Sequence, residues 1–339
     1  MTAVQDGTPP FRFRYDSSRL QLPADAAPLA NAHAFAFVED DRHLFLAYEP
    51  SLKRERTPKA LSCLVRWDLD ASSASIVPVP SSICAGVPHG LRYVKANGDE
   101  AASLYLVTTG SGRVGMLYKL TLNGRLQWST KAPSAKEYQP SVPTAIAAPP
   151  DHPFVYMADG YGTSFVHAFH KINGSYAGYS FGGGGRTISP KGKPPRAPPS
   201  GLFNSAHGLA WDSRREQLLV TDRGKNGHHH HHHYYDVAVM RRGSPNVTRA
   251  ASFVIPGLPQ PCSLNVAPDG KHAVVASLDG PVGIIDASNQ LVSKIDVGKL
   301  LGGSSATSLH PHDALLLPTG DLVVAAWNPG NLSYWRRLS

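Results

Sequence analysis

Ala206-His207-Gly-Leu-Ala-Trp211, a turn, and then Gln217-Leu-Leu-Val-Thr-Asp222 form a compact unit: an apolar strand that opens with a small residue and a polar one, then a second apolar strand. The first strand has five counterparts: Ala32-His33-Ala-Phe-Ala-Phe, Pro88-His89-Gly-Leu-Arg-Tyr, Pro143-Thr144-Ala-Ile-Ala-Ala, Pro261-Cys262-Ser-Leu-Asn-Val and Pro311-His312-Asp-Ala-Leu-Leu. Second strands follow at 43–48, 104–109, 154–159, 273–277 and 322–327, and 165–169 reads as a third strand. Gaps such as Pro268-Asp-Gly270 and Pro318-Thr-Gly320 carry the turn chemistry of hairpins. A unit of three or four short strands returning every ~50–60 residues is one blade of a β-propeller. Blades starting near 33, 89, 144, 207, 262 and 312 predict an all-β, six-bladed propeller over the whole chain. An irregular β-sandwich does not predict a fixed two-strand unit that keeps returning. Phe11-Arg-Phe-Arg-Tyr15 alternates like a strand and is expected to complete the last blade, tying the ring shut.

Composition agrees with many short strands and tight turns: 42% hydrophobic and 17% charged residues, with 31 Gly and 29 Pro in 339. The net charge of +8 comes from scattered Lys and Arg with no nucleic-acid-binding motif, so no nucleic-acid partner is expected. No apolar run is long enough to span a bilayer, and MTAVQDGTPP has no hydrophobic signal core, so the chain reads as soluble with no membrane partner. Three sequons, at Asn173, Asn246 and Asn331, keep a secreted mature form open, and compartment and oligomeric state stay unassigned. Three Cys make no disulfide framework, although Cys63 and Cys84 can bridge. Six of the 16 His form the run 228–233, read as a purification tag in a permissive loop, with a natural His-rich metal tract as the other reading. That run is left out of the site.

First strands of a propeller line its channel, and antiparallel second strands end on the face where the first ones start. One channel mouth therefore gathers His33, His89, Thr144, His207, Cys262 and His312 from the strand starts. Glu49, Tyr161 and Arg223 join them from the second-strand ends. His89, His207 and His312 lie on alternate blades, so three imidazoles surround the axis with approximate threefold symmetry. Three imidazoles with an open fourth position is the ligand set of a catalytic zinc. His33 reads as a fourth ligand, a base beside the metal or a plain channel residue. A four-His site would favour iron or copper.

Ser141-Val-Pro-Thr-Ala-Ile-Ala, Asp159-Gly-Tyr161, Gly201-Leu-Phe-Asn-Ser-Ala-His207-Gly and Val220-Thr-Asp-Arg223, flanked by Pro88-His89-Gly90 and Pro311-His312-Asp313, resemble the NHL-type propeller of peptidyl-α-hydroxyglycine α-amidating lyase over about residues 85–335. The resemblance implies zinc at His89, His207 and His312, chemistry at Tyr161 and Arg223, and a structural calcium at Asp313. The chain departs from that family in four places. Tyr48 and Glu49 stand where it has an essential Arg, Gly162 replaces a Cys, His310 replaces a Met, and His33 is extra. The resemblance therefore implies the scaffold and the metal set more than the substrate.

These residues suit a zinc-dependent lyase, or a related metal-dependent hydrolase, acting on a small oxygenated molecule or a peptide. Tyr161 would pass a proton, Arg223 would neutralise oxyanion charge, and Glu49 would serve as a further base. The rival readings are a non-catalytic NHL-type propeller that presents its loops, including the 182–200 insertion, to a protein or peptide, and a four-His redox enzyme.

Overall fold

The computed structural model describes residues 4–40, 42–51, 62–98, 100–110, 112, 114–183, 202–213, 215–223, 234–240, 247–302 and 309–338. The 228–233 run and most of the 182–200 insertion lie outside the described residues. The strands fall into six antiparallel sheets. Sheet 1 starts with the inner strand Leu29–Val38, sheet 2 with Pro88–Val94 and sheet 3 with Ala145–Ala147. Sheet 4 starts with Ala206–Asp212, sheet 5 with Pro261–Val266 and sheet 6 with Pro311–Leu316. Each inner strand packs against the inner strand of the next sheet, and that of sheet 6 packs against that of sheet 1. The architecture is a β-propeller.

Six apolar clusters fill the seams between neighbouring sheets. Phe45 and Leu64 meet Leu91 and Leu106 between sheets 1 and 2, and Val323 and Tyr334 meet Phe35 and Leu46 across the closing seam. Strands buried on both faces need continuous apolar runs, which is why 104–108 and 273–277 show little alternation. Sheet 6 is closed from the other end of the chain. Phe11–Tyr15 pairs antiparallel with Asn331–Leu338, with Tyr15 opposite Trp335. Phe11 and Phe13 are buried while Arg12 and Arg14 face solvent, as the alternation predicts. A further strand, Gln5–Thr8, adds a fifth member outside it. Among the described residues no helix is long and apolar enough to cross a membrane.

Cys63 and Cys84 form a disulfide, with their Cα atoms 5.2 Å apart. It ties the lead into the third strand of sheet 1 to the short helix Ser81–Ala85 that runs toward sheet 2. Closing a loop of this size removes about 3 kcal/mol of chain entropy from the unfolded state. Cys84→Ser is expected to lower unfolding free energy by about that amount in denaturant titrations. Reductant should reproduce the loss in the wild type.

Candidate metal centre

In five of the six sheets the ladder slips by one residue at the same place. The pairing jumps from Ala32 to Ala34, Pro88 to Gly90, Ala206 to Gly208, Pro261 to Ser263 and Pro311 to Asp313. The residues skipped are His33, His89, His207, Cys262 and His312. Each is the extra residue of a β-bulge, a device that turns a side chain out of the regular pleat. In sheet 3 the equivalent Thr144 stands just before the inner strand. The bulges aim these side chains inward at one level of the channel.

Adjacent sheets fix the ring orientations. Nδ1–H of His89 donates to the Thr144 carbonyl at 2.7 Å, that of His207 to Cys262 O at 2.8 Å, and that of His312 to His33 O at 2.8 Å. In each case the acceptor belongs to the residue at the equivalent position of the next sheet. With Nδ1 held as a donor, the lone pair rests on Nε2, which faces the centre; a backbone carbonyl on the other ring nitrogen is the usual support of a metal-binding imidazole. Gly90 and Gly208 make this reach possible. A Cβ at Gly90 would lie 2.9 Å from Thr144 O, and one at Gly208 2.5 Å from Cys262 O, the very carbonyls the two histidines use.

Ligand atoms of His89, His207 and His312 lie within 4.8 Å of one another, and all three residues are buried. The cavity they line with Cys262 and Asp313 gives a water-sized sphere about 20 Å³ of room, enough for one ion or water. His312 Nε2 is buried with no hydrogen-bond partner, a costly arrangement that a bound cation would relieve. Burial first, and then the neighbouring imidazoles and Arg223, hold all three well below the ordinary histidine pKa. The rings are therefore neutral near pH 7, the form in which imidazole ligates. Three nitrogen donors suit zinc, and iron and copper as well.

Tyr161 is brought onto this cluster. Its hydroxyl donates to His207 Nε2 at 2.9 Å and lies 3.3 Å from His89 Nε2. Arg223 Nη2 donates to the same oxygen at 3.2 Å, Nη1 donates to Cys262 Sγ at 3.2 Å, and the guanidinium lies 5.4 Å from the Tyr161 ring centroid. Burial raises the Tyr161 pKa, and the Arg223 charge counteracts it. The aspartates of the Asp-Gly-Tyr and Asp-Arg motifs hold the loops. Asp159 accepts from the backbone N–H groups of Val142 and Thr163, and Asp222 from those of Asn204 and Ser205. Gly162 has no room for a side chain, because a Cβ there would strike Asp159 and the Pro140 carbonyl. Cysteine could not stand at this position without moving that loop.

Three other sequence candidates stay outside the three-ligand group, although His33 and Asp313 line the same cavity. His33 stacks on His89 with centroids 4.7 Å apart, and its Nδ1 meets Pro88 O at 2.5 Å, one residue short of the acceptor the other rings use. It is not one of the three mutually close ligands. Glu49 Oε2 accepts from Asn31 Nδ2 at 2.5 Å, opposite it in the sheet 1 ladder, and its charge acts on His33. Asp313 faces the channel interior, where Oδ2 accepts from Phe35 N at 2.8 Å and Oδ1 from Asn265 Nδ2 at 2.7 Å. Sequence reading missed Asn265 and its neighbour Arg92, both channel residues on inner strands.

No family model matches the chain, and no curated protein matches it. Among solved structures it is similar to the luciferin-regenerating enzyme, with a TM-score of 0.59 and 9% identity over 94% of this chain and 95% of that one. The two share a fold. At this identity the likeness extends to the propeller and not to the residues of the mouth.

Proposed function

We propose that the chain is a six-bladed, NHL-like propeller enzyme that holds zinc on His89, His207 and His312 and acts as a lyase on a small oxygenated substrate at the channel mouth. The observation that carries this reading is the convergence of three neutral, buried imidazoles with the Tyr161 hydroxyl hydrogen-bonded among them. Zinc in this ligand set supplies Lewis acidity, polarising a substrate oxygen and lowering its pKa.

The protein's own groups supply the rest. Tyr161 exchanges a proton through its hydroxyl, which already lies within hydrogen-bond reach of a ring nitrogen and a guanidinium. Arg223 is held by Cys262 at one Nη and presents its positive charge at the other, where an oxyanion or alkoxide would be stabilised. Burial of the cluster keeps water away and strengthens both effects. Glu49, hydrogen-bonded to Asn31 and acting electrostatically on His33, would serve as a further base beside the cluster. His33 packs on the group without joining the three mutually close ligands, which favours zinc over a four-His iron or copper site.

The test is an assay of protein freed of the 228–233 run against a panel of small hydroxylated and hemiaminal substrates, with zinc added and withdrawn. Turnover that rises and falls with zinc is expected. Full zinc occupancy without turnover on any substrate would instead leave a metal-binding, non-catalytic propeller.

A further inference from the structure

Beneath the histidines the same cavity is lined by a cationic and an anionic side chain. Arg92 lies on the inner strand of sheet 2 and lines the channel with Asp313 of sheet 6. Its Nη1 donates to Leu91 O at 2.8 Å and its Nη2 to Leu209 O at 3.0 Å, so the side chain reaches past sheet 3 to sheet 4. Burial pushes the Arg92 pKa below its ordinary value, and the Asp313 charge opposes that in part.

A calcium ion would need six to eight oxygen ligands. Here the carboxylate already accepts from Phe35 N–H and the Asn265 amide, the Leu91 and Leu209 carbonyls are engaged by Arg92, and a fixed positive charge stands beside them. The residues do not fit the calcium that the family resemblance implies. We infer that the channel carries its own cation: the Arg92 guanidinium stands in for calcium as the counter-charge of Asp313 and clasps sheet 2 to sheet 4. The proposal is independent of the catalytic reading above.

Zinc-loaded protein in calcium-free buffer is melted with and without about 1 mM CaCl2, a concentration that fills even weak extracellular sites. Calcium retention is measured by equilibrium dialysis against radioactive calcium. The expected results are no bound calcium, a Tm change below about 1 °C on adding CaCl2, and an Arg92→Met protein melting at least about 5 °C lower, because the Leu91 and Leu209 carbonyls lose their donor and the charge that offsets the buried Asp313 carboxylate is gone. Arg92→Lys keeps the charge but not the two-pronged fork, and should fall between the two. One calcium retained per wild-type chain, or a Tm raised several degrees by CaCl2, would overturn the inference. An Arg92→Met protein as stable as wild type would overturn it equally. If Arg92→Met does not fold, the calcium measurements and Arg92→Lys still carry the test.

Discussion

Gly208→Ala is expected to weaken metal binding by about 10–100-fold although every ligand remains in place, because it disturbs the hydrogen bond that orients one of them. The added methyl group would lie 2.5 Å from Cys262 O, far inside van der Waals contact, so sheets 4 and 5 must part locally. That carbonyl is the acceptor of His207 Nδ1–H, at 2.8 Å. Moving it frees the ring to rotate or change tautomer, and Nε2 no longer holds its lone pair toward the centre. The local overpacking itself should cost about 1–3 kcal/mol, which a propeller with six apolar seams survives. Zinc affinity measured by competition with a chelating dye, alongside circular dichroism and thermal melting, separates the two effects. A folded variant with wild-type affinity would show that the carbonyl does not position the ligand.

Tyr161→Phe should reduce turnover by about 10²–10⁴-fold while zinc content stays at one per chain. The substitution removes the one hydroxyl that, among the described residues, contacts the ring nitrogens of the three ligands, and leaves the imidazoles and their carbonyl partners in place. The loss should appear in kcat, since the proton moves in the reaction and not in binding. Arg223→Lys offers a comparison: it keeps the charge but loses the fork that joins Tyr161 to Cys262, so a smaller loss is expected. Equal turnover in wild type and Tyr161→Phe would take Tyr161 out of the chemistry.

Much of the scaffold was legible because its pattern is periodic. Paired apolar strands at positions 33, 89, 144, 207, 262 and 312, with turn residues between them, announce repeated sheets, and the alternation of Phe11–Tyr15 announces the closing strand. Placing the polar second residue of each unit at one mouth needed only the antiparallel order of the strands. The finer geometry was not legible, because it depends on cross-sheet distances that residue types do not encode. A one-residue bulge leaves no mark in Pro-His-Gly or Ala-His-Gly, yet it is what turns the imidazole inward. His33 occupies the same place in its repeat as His207 and differs only in which carbonyl it reaches, Pro88 in place of the next bulge residue. The hydrogen bond of Glu49 to Asn31 depends on the ladder register of sheet 1, which the repeat alone does not show. Arg92 sits in an ordinary apolar strand segment, and its reach to the Leu209 carbonyl of sheet 4 depends on the cross-channel distance.

The central claim is that His89, His207 and His312 hold one metal ion. Metal content by mass spectrometry, on protein freed of the 228–233 run so that the run itself contributes no metal, tests it most directly when wild type and His207→Ala are compared. The account predicts about one zinc per wild-type chain and its loss in the variant, as three-ligand sites require all their imidazoles. Wild-type protein that takes up no metal from zinc-supplemented buffer, or a His207→Ala variant that retains a full equivalent, would contradict it.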